Sequence, residues 1–499
     1  MNCIRSLILV SVLFISFCHD AYSQEENDEG LTYHIDRQIT FGHGQNPLWL
    51  NANKYGLSSI KDDNGFIKGG ITGQTVLGNS GDWWLKYGAD LAVAYNFSST
   101  LIIQQLYGDL QFRKLTLSVG SKQRKAQLKN NELSSGGQTF GINARPIPEI
   151  SLETPEYVNI LKDNNLIGLK FRFGYGMTTD WRWQRHFAAK DTRYTSRHWL
   201  HNQALYLRVG DEERFPLVYE GGFEWSNQFG GTIHNYNQTD LKRIKMHQRF
   251  KDFFKAIYAG GSDPTDAGYD NAQGNTVGSW LMSLSYKLPN EAKVRLYFDH
   301  YFEDHSQLFL QYGWKDGLLG GEITLPKNRI ATSLVYEYIH TTDQSGPIYH
   351  DHTEAVSDQI SAVDNYYNHN LYTGWQHWGQ AIGNPLYIAQ LYNKNHRLNF
   401  ANNRFIAHHV GLAGDPMKEL HYRLLYTYST NLGTYQHPFD DKKYNTSFLA
   451  ELTYSPTNIG SWDTRGNSIR LGFGFDRGNL IGNNTGFQLT FCSKGLLKH

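Results

Sequence analysis

Cysteine is nearly absent from this sequence. Only three cysteines occur in 499 residues, and Cys3 and Cys18 lie in an N-terminal segment with the features of an export signal. That segment has one basic residue, then an apolar stretch at residues 7–17 that is too short to span a bilayer, then a small-x-small cleavage site. We therefore predict a signal peptide over residues 1–23, and a mature protein that retains Cys492 alone and has no internal disulfide.

Long apolar runs and an excess of either charge are missing as well. After the signal peptide, no apolar run reaches the roughly 18 residues of a membrane-spanning helix. The 47 basic and 47 acidic residues cancel to a net charge of zero, so the chain offers no basic field for nucleic acid. The sequence also lacks a phosphate-binding glycine loop, a nucleophile elbow and a zinc-protease helix, which removes the signals of three common catalytic classes.

Aromatic residues and glycine, by contrast, are abundant. The chain has 32 Tyr, 27 Phe, 12 Trp and 48 Gly, and its mean hydropathy is −0.53. A membrane β-barrel exposes only alternate residues to lipid, so its average hydropathy stays low, and aromatic girdles mark both membrane interfaces. The composition permits a soluble exported protein and favours an outer-membrane barrel.

Apolar and polar residues alternate along much of the chain. The alternation is clear at residues 106–113, 422–428, 448–454 and 469–475, where one face is apolar and the other carries Arg, Glu or Asp near the strand centre. Charged residues at those positions suit a water-filled lumen better than the surface of a β-sandwich. Segments of this kind predict an all-β fold, a transmembrane antiparallel β-barrel of about 16–18 strands with a few added helices, forming one domain over residues 24–499.

One segment departs from the alternation. Residues 239–258 carry apolar side chains near the helical period and many Lys and Arg residues, which predicts a basic amphipathic helix. Such a helix could pack on or under the barrel, or contact anionic lipid head groups or an acidic glycan.

The stretch 134–148 predicts a stiff segment with one fixed cation. Pro146 and Pro148 fix the backbone and remove two hydrogen-bond donors, while Arg145 is the single charge. Within a barrel this stretch could fold into the lumen as a structural latch, with Arg145 paired inside. Contact of Asn143 and Arg145 with an acidic sugar is the second interpretation.

Residues 361–393 have the composition of a sugar-binding loop. Sugars offer hydroxyl groups and an apolar C–H face, and they are bound by flat aromatic rings beside amide, carboxylate and imidazole groups. The candidate ligand-binding residues are Asp364, Tyr366, Tyr367, Asn368, His369, Trp375, Trp378 and Asn384. An aromatic girdle with a loop folded on itself would have the same composition, and both interpretations stay open.

Two further clusters lack the geometry for chemistry. Glu303 and Asp304 are adjacent, so on a strand they point to opposite faces and cannot flank one scissile bond. The neighbours at 350–352, His-Asp-His, lack a defined metal geometry. We predict no catalytic residue and no metal site.

Several motifs give the chain a family resemblance. It resembles the capsule-assembly Wzi family of bacterial outer-membrane proteins. The motifs are NPLWL at 46–50, NKYG at 53–56, SGG at 135–137, NARPIP at 143–148, FPL at 215–217, QFGG at 228–231, GSW at 278–280, HYFED at 300–304, DGLLG at 316–320, NYYNH at 365–369 and GNP at 383–385. The resemblance implies a large barrel with added helices that acts as a lectin and helps attach capsular polysaccharide to the cell surface, with no enzyme activity and no cofactor.

These observations together predict an outer-membrane lectin-like protein. We expect its partners to be a capsular or surface polysaccharide and outer-membrane lipid, with no nucleic acid, and we expect a monomer. A diffusion porin and a glycan-processing outer-membrane enzyme remain as alternatives.

Overall fold

The computed structural model describes residues 30–161, 164–236, 242–258, 274–303, 315–347 and 361–498. The predicted signal peptide, the His-Asp-His cluster at 350–352 and Asp304 lie outside these residues. Within them, no helix is both long and apolar enough to cross a membrane.

Eighteen antiparallel strands close into a barrel, which confirms the predicted fold class. The strands are β1 (Gly30–His43), β2 (Asn64–Leu77), β3 (Trp83–Tyr95), β4 (Leu101–Phe112), β5 (Leu115–Ser121), β6 (Glu149–Glu153), β7 (Ile167–Met177), β8 (Trp199–Val209), β9 (Leu217–Phe229), β10 (Asn275–Lys287), β11 (Lys293–Glu303), β12 (Gly317–Thr324), β13 (Ser333–His340), β14 (Phe405–Met417), β15 (Leu420–Gly433), β16 (Pro438–Tyr454), β17 (Asn467–Gly478) and β18 (Asn484–Lys498). After a break, Val158–Asn159 continues the line of β6 along β7. Pairing of β1 with β18 closes the barrel.

The alternation in the sequence separates an outer from an inner face of the wall. Leu106 on the outer face is 55% exposed, whereas Asp109 on the inner face of the same strand is 2% exposed. Exposed aromatic rings gather near both ends of the strands. Phe41, Tyr95, Tyr444 and Phe487 lie toward one end, and Trp83, Phe112, Tyr219, Tyr286 and Tyr454 toward the other. Two aromatic belts around an apolar wall are the pattern of a membrane-embedded barrel.

The two ends of the barrel differ in their connections. Gly30 and Lys498, the first and last described residues, lie at the same end of the barrel. The strands at that end are joined by short connections such as 113–114 and 418–419, and we call it the turn end. The connections 44–63, 122–148 and 341–404 lie at the opposite end, which we call the loop end.

Three of the loop-end connections fold back into the lumen. Residues 44–63, 122–148 and 364–404 form this body, which we call the plug. Its parts hydrogen-bond to one another: the Asn53 backbone N–H donates to Asn143 Oδ1 at 3.0 Å, and Asn143 Nδ2 donates to the Ala381 carbonyl at 3.0 Å. Its largest fully buried side chains include Trp49, Tyr366, Tyr367, Trp375, Tyr387 and Phe400.

Carboxylates on the inner wall hold the plug in place. Glu337 accepts hydrogen bonds from the Ser135 backbone N–H at 2.8 Å and from the Ser134 hydroxyl. Asp299 accepts from the Gln138 N–H at 3.0 Å. Buried carboxylates are stable only with such charge-assisted bonds, so the wall and the plug fix each other.

The predicted basic helix over 239–258 is shorter in the structure, and the prediction was wrong for residues 242–249. Helix α3 spans Phe250–Ile257, whereas Arg243–Lys245 is a short strand, and residues 239–241 lie outside the described part of the chain. The strand forms because it pairs with Thr232–His234, which places Ile244 against the apolar cluster around Ile233. Two more helices are α1 (Leu48–Asn51) in the plug and α2 (Trp181–Phe187) at the loop end.

Candidate functional site

The stretch 134–148 lies inside the lumen, as the latch interpretation expects. Arg145, however, is not held by an ion pair: no carboxylate among the described residues lies within ion-pair distance of it. Its guanidinium instead stacks on the Trp378 ring, 4.1 Å from the ring centroid, and Nη2 donates to Ser98 Oγ at 3.4 Å. The predicted internal pairing of Arg145 is therefore replaced by a cation–π contact.

Four of the predicted glycan-binding residues on the 361–393 stretch are buried in the plug. Tyr367 donates to the Gln138 carbonyl, and Trp375 Nε1 donates to the Thr139 carbonyl at 2.8 Å. Asn384 Nδ2 donates to Ser135 Oγ at 3.1 Å. Tyr366 packs edge-on against Tyr301 of the wall. Together with Asn143, these side chains have at most 1% of their surface exposed, which argues against glycan contact and gives them a packing role.

Three further candidates are partly exposed. Asn368 Nδ2 donates to the Phe400 carbonyl at 2.9 Å, and His369 Nδ1 accepts from the Leu371 N–H at 3.1 Å. Asp364 joins the plug through its backbone N–H, which donates to the Gln344 carbonyl at 2.8 Å. Asn368 and His369 thus shape the loop, and glycan binding by all three residues stays a prediction.

Trp378 is the candidate that the structure presents at the loop end. It occupies the tip of a small hairpin between Gln376–His377 and Gln380–Ala381. Trp378 and Gly379 have φ values of +55° and +77°, the left-handed pair that a two-residue hairpin turn requires. A large side chain held at positive φ is strained, and such strain is concentrated at functional positions.

The hairpin tip is tied to the start of α2. The Trp378 backbone N–H donates to Asp180 Oδ2 at 3.1 Å, and its ring Nε1 donates to Thr179 Oγ1 at 3.3 Å. Asp180, fully buried, also accepts from Gln184 Nε2 at 3.0 Å. These bonds place Trp378 beside Thr179, which is two residues before Trp181.

Trp181 repeats the combination of an indole ring with cations. The Arg182 and Arg197 guanidinium carbons lie 5.3 and 5.8 Å from its ring centroid. Trp181 is half-buried, while both arginines are exposed. We call the residues Arg145, Thr179, Trp181, Arg182, Arg197 and Trp378 the tryptophan patch. Sequence reasoning named Arg145 and Trp378 but missed Trp181, Arg182 and Arg197, although the Trp-Arg-Trp run at 181–183 was a visible signal.

The tryptophan patch borders a cationic part of the loop end. The connections 178–198 and 230–274 are joined by a three-stranded sheet of Tyr194–Ser196, Thr232–His234 and Arg243–Lys245. Their described residues carry eleven Lys and Arg residues against three Asp and no Glu, in a chain of zero net charge. Burial, helped by the charge of Arg243, lowers the pKa of His234, so this ring adds little positive charge at neutral pH.

Arg145 supplies a fixed charge behind Trp378. Burial lowers its pKa to about 10, with Asp180 acting in the opposite direction, so the guanidinium stays protonated at neutral pH. Its Nε has no hydrogen-bond partner among the residues that the structure describes. A cation near the ring is attracted to the ring quadrupole, and the contact is worth about 0.5–2 kcal/mol.

A polar cavity lies deeper in the lumen than the tryptophan patch. A cavity of about 250 Å³ runs along the inner face of β6–β8 and is lined by charged residues that include Arg124, Glu149, Glu153 and Arg172. These charges pair with one another, since Arg124 lies 2.8 Å from Glu149 and 3.3 Å from Glu153. The cavity therefore has mostly satisfied charges. Among the residues that the structure describes, no His, Cys, Asp and Glu side chains converge as a metal site.

Comparisons with known proteins support the architecture. No protein-family model matches the chain, and no curated protein matches its sequence. A solved structure of Wzi, an outer-membrane protein involved in group 1 capsule assembly in Escherichia coli and described as a carbohydrate-binding β-barrel, aligns with a TM-score of 0.55 and 10% identity over 92% of this chain and 83% of that chain.

Two Pseudomonas aeruginosa barrels align less closely. OccK5 (OpdH) gives a TM-score of 0.46 with 12% identity over 94% of this chain and 98% of that chain. OpdL gives 0.48 with 10% identity over 94% and 99%. The protein is a closed eighteen-stranded β-barrel of the outer membrane, and its loop end faces outward because short turns face the periplasm in such barrels.

Proposed function

We propose that this protein binds an acidic surface polysaccharide and helps attach or organise it at the cell surface, as a lectin without catalytic activity. The observation that carries the proposal is the tryptophan patch, which combines two indole rings and two exposed arginines on an outward-facing cationic surface, with the buried Arg145 behind Trp378. Indole faces suit the C–H face of a sugar ring, and guanidinium groups bind carboxylates with two parallel hydrogen bonds. The carbohydrate binding described for Wzi, whose fold is similar, is consistent with this role.

The plug favours this role over that of a diffusion porin. A porin needs a continuous water-filled lumen. Here three plug segments pack across the lumen, and residues such as Trp49 and Trp375 are at most 1% exposed. Conductance measurements in planar bilayers separate the two functions, because a porin would conduct steadily and the plugged barrel would not.

Binding to purified polysaccharides tests the tryptophan patch directly. We expect the refolded barrel to bind an acidic polysaccharide more tightly than a neutral one, and Trp378→Ala and Trp181→Ala each to lower the affinity about tenfold by removing a stacking surface. Trp462→Ala is the matched control, since Trp462 is 59% exposed but lies at the turn end. Unchanged affinity in both patch variants would rule out this site.

The attachment role needs a cellular experiment. Deleting the gene should release polysaccharide into the medium, measured by capsule staining and by assay of the supernatant. Polysaccharide that stays fully cell-bound would contradict attachment, and release of new reducing ends by the purified protein would contradict a purely binding role.

A further inference from the structure

Helix α3 is docked on the outer face of the barrel. Phe253 contacts the rings of Tyr175, Trp199 and Phe229 at centroid distances of 5.1–5.3 Å. Tyr175 also donates a hydrogen bond to the Phe253 carbonyl at 2.7 Å. These three wall residues belong to the outward-facing set, because they alternate with inward residues such as Gly174 and Leu200 along β7 and β8.

Two polar residues on the outer wall confirm the docking. His201 and Gln203 follow Trp199 on the same face of β8, where lipid would otherwise meet them. Gln203 Nε2 donates to the Ile257 carbonyl at the end of α3, at 2.8 Å. His201 is fully buried against Phe173 and Tyr175. From Trp199 to Gln203 the contact moves away from the loop end, so the helix descends along the outer third of the wall.

The side of α3 that faces away from the wall is aromatic. Phe250, Phe254 and Tyr258 recur every four residues and are 80%, 55% and 60% exposed. Lys251 and Lys255 flank this row, because Lys251 and Phe254, and likewise Lys255 and Tyr258, are three positions apart and therefore adjacent on the helix surface. Such a row is costly in water, and it suits the boundary between acyl chains and head groups, where aromatic rings insert and lysines reach the polar layer.

An apolar groove lies next to the helix on the same outer face. It measures about 630 Å³, and its lining includes Val119, Ile150, Leu152, Tyr175 and Phe253. The groove lies beside the two shortest strands of the barrel, β5 with seven residues and β6 with five. Its apolar side chains face the membrane, so an acyl chain is the occupant that matches them.

We propose that α3 and this groove form a binding site for a phosphorylated, acylated lipid of the outer leaflet. One acyl chain lies in the groove against Ile150 and Phe253. The aromatic row of α3 enters the acyl layer, and Lys251 and Lys255 bind phosphate. The site joins an apolar groove in the membrane-facing wall to two lysines at the height of the outer head groups, which matches the acyl chains and the phosphates of such a lipid. It is independent of polysaccharide binding by the tryptophan patch.

Native mass spectrometry of the detergent-purified barrel with added lipid A tests the site. We expect stoichiometric retention of lipid A and at least tenfold weaker retention of dephosphorylated lipid A. The double variant Lys251→Gln/Lys255→Gln should lower lipid A affinity roughly tenfold, since each interfacial lysine contributes to binding of anionic lipid. Lys418→Gln/Lys442→Gln, which removes the same charge elsewhere, should retain the wild-type affinity.

A second pair of variants tests the groove. Ile150→Trp, which fills it, should reduce lipid A retention, whereas Leu91→Trp on an exposed part of the outer wall away from α3 should not. Circular dichroism establishes that each variant is folded. Equal retention of lipid A by the wild type, the lysine double variant and Ile150→Trp would overturn the proposal. Loss of lipid A binding in Trp378→Ala would also overturn it, because the ligand would then be held through its sugars by the tryptophan patch.

Discussion

At the residue scale, carboxylates on the inner wall accept hydrogen bonds from the plug. Glu337 shows this most fully. It is 0% exposed and takes hydrogen bonds from two plug serines and from Tyr297 Oη at 2.7 Å. Removal of a buried acceptor leaves its donors unsatisfied, which costs more than the bonds themselves contribute.

Glu337→Ala should therefore destabilise the folded protein strongly. We expect a loss of about 3 kcal/mol or more in the free energy of unfolding, because Ser134, Ser135 and Tyr297 would lose a charged acceptor in a buried setting. Urea unfolding of the barrel in lipid vesicles measures this loss in the free energy of unfolding. Asp441→Asn, at an exposed position near the loop end, is the control. A loss below about 1 kcal/mol would show that water replaces the carboxylate.

Lys54 makes stability depend on pH. Burial lowers its pKa to about 7, opposed by Glu451 and reinforced by Arg423 and Arg470, while its Nζ donates to Gln488 Oε1 at 2.6 Å. In the unfolded chain a lysine titrates near pH 10.4, so between about pH 7 and pH 10 the unfolded state binds more protons than the folded state. Stability contributed by this group should therefore rise with pH across that window.

The variant Lys54→Met should remove this rise. We expect it to be more stabilising, relative to the wild type, at pH 6 than at pH 9, when the free energy of unfolding is measured at both values. Lys61→Met, an exposed lysine in the same connection, serves as the control and should shift stability equally at the two pH values. If Lys61→Met showed the same difference between pH 6 and pH 9 as Lys54→Met, Lys54 would not be the group that makes stability depend on pH.

The candidate site shows where sequence reasoning succeeded and where it could not. Arg145 and Trp378 were named from composition and backbone stiffness, and they contact each other across 233 positions of the chain. Tyr366, Tyr367 and Trp375 have the same composition and are buried, because a loop that enters a lumen satisfies its polar groups on the wall. Nothing in a local pattern separates an inward loop from an outward one.

At the element scale, period-two alternation predicted the wall well because the membrane and the lumen impose opposite polarity on neighbouring residues. The end of β18 lacks this alternation. Residues 493–498 include two lysines and a glycine, yet most of them pair with residues 31–35 of β1. Pairing with another strand decided this boundary, as it did for Arg243–Lys245.

One of the three plug segments, 122–148, can be shortened without cutting the wall. Gly120 pairs with Glu149, so the ends of β5 and β6 lie side by side. Replacing residues 124–146 with a short Gly-Ser linker should open the lumen and raise single-channel conductance several-fold over the wild type in planar bilayers. Removing the turn-end hairpin tip at 459–462 should leave conductance unchanged. A deletion variant that folds but does not conduct would show that the other two plug segments suffice.

At the scale of the whole molecule, the asymmetry of the two ends fixes its orientation. Lys394→Cys at the loop end should react with a membrane-impermeant maleimide in intact cells, whereas Ser461→Cys at the turn end should react only after the outer membrane is permeabilised. Cys492, the one cysteine that the predicted mature chain retains, belongs to β18 and gives the background in the unmodified protein. Labelling in the reverse order would require an inverted barrel.

The contacts of β1 and of the first plug segment also constrain how the chain can fold. The Leu48 backbone N–H donates to Asp476 at 3.1 Å across 428 positions, and Gln488 Nε2 donates to Thr40 at 3.0 Å across 448. Contacts of such sequence separation form late and slowly, because the loops that they close are long. Residues near the start of the chain therefore make these contacts only after the last two strands have formed. A barrel that lacks those strands leaves Leu48 without its acceptor and Leu50 without its packing against Gly472 and Gly486, so completion of the wall and burial of the first plug segment are one cooperative step of assembly.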